Sequence, residues 1–223
     1  GYIRRWDFAP ENDPEGKFAK ALRDAGVLAA AAHTDSTYEE MLPSIENGLS
    51  LVTHLYSCTS TVTRKGGFRS LGVIETAFLL DSLFVEIIAD GRHLPKELIR
   101  MIVKIKGREK TALITDSLDI AGTDVTCGTM SGTDFIVEDG VCKLKDRSAF
   151  AGSVATSDRL LAVMTRECGF SLSDAVFMAS TTPANILSLP QKGRIRAGAD
   201  ADLAVLNTDL SVRAVFVWGE EVY

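Results

Sequence analysis

An α/β barrel is the fold predicted by this sequence of 223 residues, on two observations. Apolar runs of strand length alternate with segments of helical period, which implies a parallel sheet with helical crossovers. Four successive runs also end on a ligand-type side chain: VLAAAA on His33, LSLVT on His54, FVEIIADGR on His93 and TALIT on Asp116. A doubly wound open sheet satisfies the first observation as well. Its sites gather at one switch point, however, whereas every strand of a barrel points its C-terminal end at a single mouth. Four candidate side chains on four successive strand ends favour the barrel.

The elements follow in order. Residues 15–25 have a helical apolar period stopped by Gly26. VLAAAA at 27–32 then reads as a buried strand, although its alanines suit a helix equally well. Thr37 and Glu40 have the spacing of a capping box, and Asn47-Gly48 ends the helix they open. LSLVT leads to His54, and residues 71–82 form the next helix. FVEIIA and TALIT are the clearest strands, with a helix over 95–106 that starts at Pro95. Beyond Asp116 the texture changes: residues 121–150 carry several glycines and short strand-like pieces, with a hairpin turn at Asp139-Gly140. Amphipathic segments follow at 154–168 and 172–181, with Pro183 as a helix boundary or turn. The tail, GRIRAGADADLAVLNTDLSVRAVFVWGEEVY, predicts strands of a small β domain.

Composition narrows the function classes. The formal charge of -6, from 24 Lys and Arg against 30 Asp and Glu, argues against a nucleic-acid surface while leaving room for a local anion pocket. Four cysteines (Cys58, Cys127, Cys142 and Cys168) are scattered without a paired CxxC, which predicts free thiols and a cytoplasmic protein. No apolar stretch reaches transmembrane length, so no membrane partner is expected.

His33 and His54 are candidate neutral imidazole ligands of a divalent ion. Glu11, in the APEN segment, adds a carboxylate and completes a Glu/His/His set with an open position for water. Asp116 is placed to take a proton from that water and return it to a leaving amine. A lone histidine is more often structural, but two at equivalent strand ends, followed by Asp116 in TDS, weigh against that reading. His93 follows an Asp-Gly turn beside Arg92, which suits substrate binding better than ligation. Arg64, Lys65 and Arg69 form a basic loop around Gly66-Gly67 that can grip a phosphate. Cys58 and Cys168 read most simply as packing residues, and Ser153 as either a hydrogen-bond donor near the site or a turn residue. Histidine and carboxylate donors admit Zn, Fe, Mn or Co without ranking them.

Several of these stretches resemble the N-acetylglucosamine-6-phosphate deacetylases of the amidohydrolase superfamily. They are APE ending at Glu11, AHT with His33, THLY with His54, IADGRH with His93, ITD with Asp116, AFAGS at 149–153 and the C-terminal GRIRAGADADLAVL. The resemblance implies a (β/α)8 barrel of the amidohydrolase type over residues 1–190 and strands of a β-sandwich domain over 191–223, the N-terminal part of the barrel lying outside these residues. It further implies that Glu11, His33 and His54 hold the metal, that Asp116 is the base and then the acid, and that His93 contacts the sugar phosphate or polarises the amide carbonyl. By the same resemblance His93 and the basic loop serve the pocket of the neighbouring subunit in a homodimer, and the reaction gives acetate and glucosamine 6-phosphate. Two stretches depart from the family pattern. THLYSCT stands where THLYNAM is usual, placing Ser57 and Cys58 at the sugar-phosphate site, and TRKGGFRS replaces the usual phosphate loop. The alternatives are an amidohydrolase for another N-acyl amino sugar or a cyclic amide, and a non-catalytic sugar-phosphate-binding homologue.

Overall fold

The computed structural model describes residues 2–223. Five parallel strands form the central sheet: β1 (Arg5–Phe8), β2 (Leu28–Ala31), β3 (Leu49–Val52), then, after a small hairpin of β4 (Thr63–Lys65) and β5 (Phe68–Ser70), β6 (Phe84–Ile88) and β7 (Thr111–Ile114). Their order in the sheet, β1-β2-β3-β6-β7, follows the chain. Helices α1 (Lys17–Asp24), α2 (Tyr38–Glu46), α3 (Val73–Leu79) and α4 (Lys96–Lys106) make the crossovers. The ambiguous alanines of β2 are strand because both their neighbours are strands, in register with Arg5–Phe8 on one side and Leu49–Val52 on the other.

Strand alternation divides the sheet into two faces. Ala29, Ala31, Val85 and Ile87 point outward and pack with Leu22, Met41, Ile99 and Ile102 of the helices in one continuous core. The inner face is sparser, with Ala30, Leu51 and Ala112 packed around Ile186, and with Arg5, Asp7 and Glu86 among them. Arg5 on β1 and Glu86 on β6 stand three strands apart, roughly 14 Å in a flat sheet. Their side chains nevertheless meet at 2.7 Å. Because strand side chains stand nearly perpendicular to the sheet, that contact requires the sheet to curl strongly about its inner face.

The helix expected at 15–25 is confined to Lys17–Asp24 and the one at 71–82 to Val73–Leu79. The capping box of Thr37 and Glu40 forms, with the Thr37 N–H donating to the Glu40 carboxylate at 2.8 Å. Residues 127–152 fold into a separate antiparallel sheet of β8 (Cys127–Met130), β9 (Thr133–Glu138), β10 (Val141–Leu144) and β11 (Phe150–Gly152). Asp139 and Gly140, both at positive φ, make the two-residue turn between β9 and β10. Ser117 bridges in parallel to Ser153, so the chain after β11 runs alongside the end of β7.

Two helical segments differ from expectation. α5 (Ser157–Ala162) passes into a π turn over Val163–Glu167, and α6 (Leu172–Val176) passes through a second π turn into α7 (Thr182–Ile186). Pro183 therefore does not end the helical run. It sits in the first turn of α7, which continues directly from the π turn. The tail forms a three-stranded antiparallel sheet of β12 (Leu203–Leu206), β13 (Val212–Val217) and β14 (Glu220–Glu221).

Candidate metal and substrate site

A cleft of about 750 Å³ opens at the C-terminal ends of the parallel strands. His33, His54 and Asp116 line it together, with Arg5, Asp7, Thr53 and Glu86 deeper on the inner face. All three strand-end residues have left-handed backbone: φ is 46° at His33, 29° at His54 and 49° at Asp116. Non-glycine residues are uncommon there and cluster at functional sites. The switch out of β geometry also breaks strand alternation, which lets residues 33 and 54 turn toward the cleft instead of following the outward face. The two imidazoles meet edge to face, ring centres 4.8 Å apart. His33 is exposed to the cleft, while His54 is buried and its Nδ1 finds no hydrogen-bond partner.

The donor set fits a divalent cation in kind. Neutral imidazole nitrogens and carboxylate oxygens are its usual ligands, Asp7, Glu86 and Asp116 line the cleft with a single guanidinium, Arg5, and a buried imidazole nitrogen stands unpaired. Two of the three expected ligands come together and the third does not. Glu11 sits in a single 3-10 turn, Pro10–Asn12, after β1, and does not line the cleft. Its carboxylate accepts from the hydroxyls of Thr34 and Ser36 and from the Asp35 N–H at 3.2 Å. Burial pushes this carboxyl up, but the hydrogen bonds from Ser36, Thr34 and the backbone outweigh it and hold it below the ordinary range. Glu11 thus braces the turn that follows His33. Among the described residues no three His, Cys, Asp or Glu side chains converge on one point.

His93 stands outside the residues lining the cleft, on the loop after β6, and is held rigidly there. Asp90 is fully buried, its Oδ1 accepting the N–H groups of Arg92 and His93 at 2.8 and 2.9 Å, while Oδ2 lies 2.8 Å from His93 Nδ1. Burial raises the Asp90 carboxyl, and the hydrogen bonds from His93 and from the backbone of His93 and Arg92 more than reverse this, leaving it below its ordinary value. An ionised Asp90 accepts the proton of Nδ1, which leaves Nε2 as the free nitrogen of His93. Phe150 of β11 lies edge-on to the ring at 5.1 Å, and Arg92 donates to the Asp139 carbonyl at 2.5 Å, so the antiparallel sheet is fastened over this loop.

The basic residues are not at this cleft either. Arg64 and Lys65 lie on β4 and Arg69 on β5, a hairpin rather than the loop expected, with Gly66 and Gly67 at φ of 57° and 88° forming its turn. All three are exposed. Ser57 and Cys58 occupy the turn after His54 without lining the cleft; the Cys58 carbonyl accepts the Thr34 N–H at 3.0 Å and ties that turn to the His33 strand. Ser153 is fully buried and its hydroxyl accepts the Ala155 N–H at 3.0 Å, a turn role. All four cysteines are free, Cys142 and Cys168 being buried. The residues that motif reading missed are Arg5, Asp7, Glu86 and Asp90. Glu86 carried the strongest signal, as the single charge inside the apolar run FVEIIA.

The Amidohydrolase family model matches residues 15–222. The N-acetylgalactosamine-6-phosphate deacetylase of Shewanella sp. (strain ANA-3) is 32% identical over 222 residues, 99% of this chain and 55% of that protein. The N-acetylglucosamine-6-phosphate deacetylase of Lysinibacillus sphaericus is 30% identical over 209 residues, 93% of this chain and 52% of its own length. Among solved structures, a mutant of the Mycobacterium smegmatis N-acetyl-D-glucosamine-6-phosphate deacetylase in complex with N-acetyl-D-glucosamine-6-phosphate superposes with a TM-score of 0.89 at 33% identity, covering 99% of this chain and 57% of that one. The chain spans about half the length of the curated relatives it matches. It belongs to the amidohydrolase family, and its relatives of 30–33% identity there are N-acetylhexosamine-6-phosphate deacetylases.

Proposed function

We propose that the protein removes the N-acetyl group of N-acetylglucosamine 6-phosphate with the help of a divalent ion, giving acetate and glucosamine 6-phosphate. The observation that carries this reading is the meeting of His33, His54 and Asp116, each on left-handed backbone at a strand end, around one cleft. His33 and His54 would hold the ion, which is Zn, Fe, Mn or Co. When bound it supplies Lewis-acid activation of water and of the amide carbonyl. Asp116 takes a proton from the attacking water as the oxygen joins the acetyl carbon, and delivers it to the nitrogen as the C–N bond breaks. His93, its tautomer set by Asp90, offers Nε2 to the substrate. We also read the curled sheet as part of a (β/α)8 barrel over residues 1–190, with 191–223 contributing to a β-sandwich.

The phosphate contact falls to the hairpin. Arg64 is paired directly opposite Arg69, and like charges so placed repel until an anion lies between them. In a homodimer the hairpin serves the pocket of the second copy. Replacing either Arg64 or Arg69 by alanine is expected to raise KM for the phosphosugar about 10- to 100-fold, the worth of one charge-assisted hydrogen bond. KM for the unphosphorylated sugar should stay as it was. Mixing these chains with Asp116→Asn chains should restore turnover, and a failure to do so places the hairpin's action within its own subunit.

The Shewanella relative favours a second reading, the galactosamine epimer, which differs only at the C4 hydroxyl. Acetate release from the two N-acetylhexosamine 6-phosphates, measured with each metal added in turn, decides between them. Binding of either sugar phosphate without turnover under any metal would leave a non-catalytic homologue.

A further inference from the structure

Two buried polar atoms of the cleft lack a hydrogen-bond partner among the described residues: His54 Nδ1 and Glu86 Oε2. Strand register makes their residues neighbours. Leu51 pairs with Phe84 and Val52 with Val85, and the Leu55 N–H donates to the Glu86 carbonyl at 2.8 Å. Glu86 therefore flanks the stretch that carries His54, and both side chains line the same cleft. An imidazole N–H and a carboxylate oxygen are complementary groups, each costly to leave unpaired.

The simpler account, that Glu86 only neutralises Arg5, does not use the residue fully. Asp7 already meets the Arg5 guanidinium through two oxygens, at 2.6 and 2.9 Å. Glu86 adds a second carboxylate through Oε1 alone, at 2.7 Å. That contact fixes one end of the carboxyl group and leaves Oε2 free. A buried charge in an otherwise apolar strand needs partners for both oxygens, and Arg5 provides for one.

We propose that Glu86 is a positioning residue for His54. Its Oε2 accepts the proton of His54 Nδ1, through one buried water or after a small rotation of the side chain. That fixes the neutral tautomer in which Nε2 is unprotonated and available to a cation, an outer carboxylate behind a ligating imidazole. The proposal rests on the reading of His54 as a metal ligand and extends it.

The test uses the tautomer directly. With three histidines in the chain, long-range ¹H–¹⁵N spectra of the metal-free protein can be assigned with His33→Gln and His93→Gln variants. The expected result is a neutral His54 carrying its proton on Nδ1. In Glu86→Gln the amide oxygen must face the Arg5 donor, so the amide NH₂ faces His54 Nδ1 and drives the proton to Nε2. Zinc affinity, measured alone by competition with a chelator, should then fall about 10- to 100-fold. A role confined to neutralising Arg5 would shift only the denaturation midpoint. Protonation on Nε2 in the unsubstituted protein overturns the proposal, even should the variant fail to fold. Unchanged tautomer and zinc affinity in a natively folded Glu86→Gln overturn it as well. Unchanged zinc affinity in His54→Ala would instead sink the metal reading, while the tautomer readout still decides the role of Glu86.

Discussion

Asp116→Asn is expected to lower kcat for acetate release by about 10²- to 10⁴-fold, the usual worth of a positioned general acid-base group. In transition-state terms that is roughly 3–6 kcal/mol, at about 1.4 kcal/mol per factor of ten. Asparagine is the substitution that isolates the proton. Asp116 is exposed and has φ of 49°, and Asn tolerates the left-handed region far better than most residues. The variant thus keeps the shape and the backbone and loses only the ability to accept and return a proton. Asp116→Ala would mix loss of the proton carrier with strain in the strand-end turn. KM should change little in the Asn variant, and zinc affinity should survive if His33 and His54 hold the ion. A kcat within a factor of about three of the parent would remove Asp116 from the chemistry, because no positioned acid-base group is worth so little.

The parts of this molecule that were legible in its sequence share one property: their causes are local. The Thr37 and Glu40 capping box, the Asp139-Gly140 turn and the strands FVEIIA and TALIT depend on neighbours within a few residues. So do the strand-end positions of His33, His54 and Asp116. The opaque parts depend on what the curled sheet brings together. Arg5 and Asp7 carry no motif in the sequence, and they become cleft residues because β1 curves round to face β6. Glu11, in the APEN segment, has the chemistry of a ligand. Its carboxylate accepts from Thr34, Ser36 and the Asp35 N–H, contacts that no linear motif encodes. Pro183 reads as a helix boundary or turn, yet the helical run continues through it from the preceding π turn into α7.

Ile87→Ala is expected to destabilise the protein by about 2–5 kcal/mol while leaving the site intact, and the contrast with its neighbour Glu86 explains why. The two residues are adjacent on β6, so their side chains leave the sheet on opposite faces. Ile87 is fully buried in the outer core with Ile99 and Ile102, whereas Glu86 faces the cleft. Truncating Ile87 leaves a cavity between sheet and helices, and close-packed surroundings relax only partly to fill it. For a domain whose whole stability is about 5–15 kcal/mol, that is a large fraction. The loss should appear as a lower denaturant midpoint with an unchanged slope. At a temperature where the variant is still folded, zinc affinity and kcat should match the parent, since no cleft residue has moved. An equal loss of zinc affinity would mean that the inner face depends on the packing behind it, and that alternation on β6 does not separate stability from function.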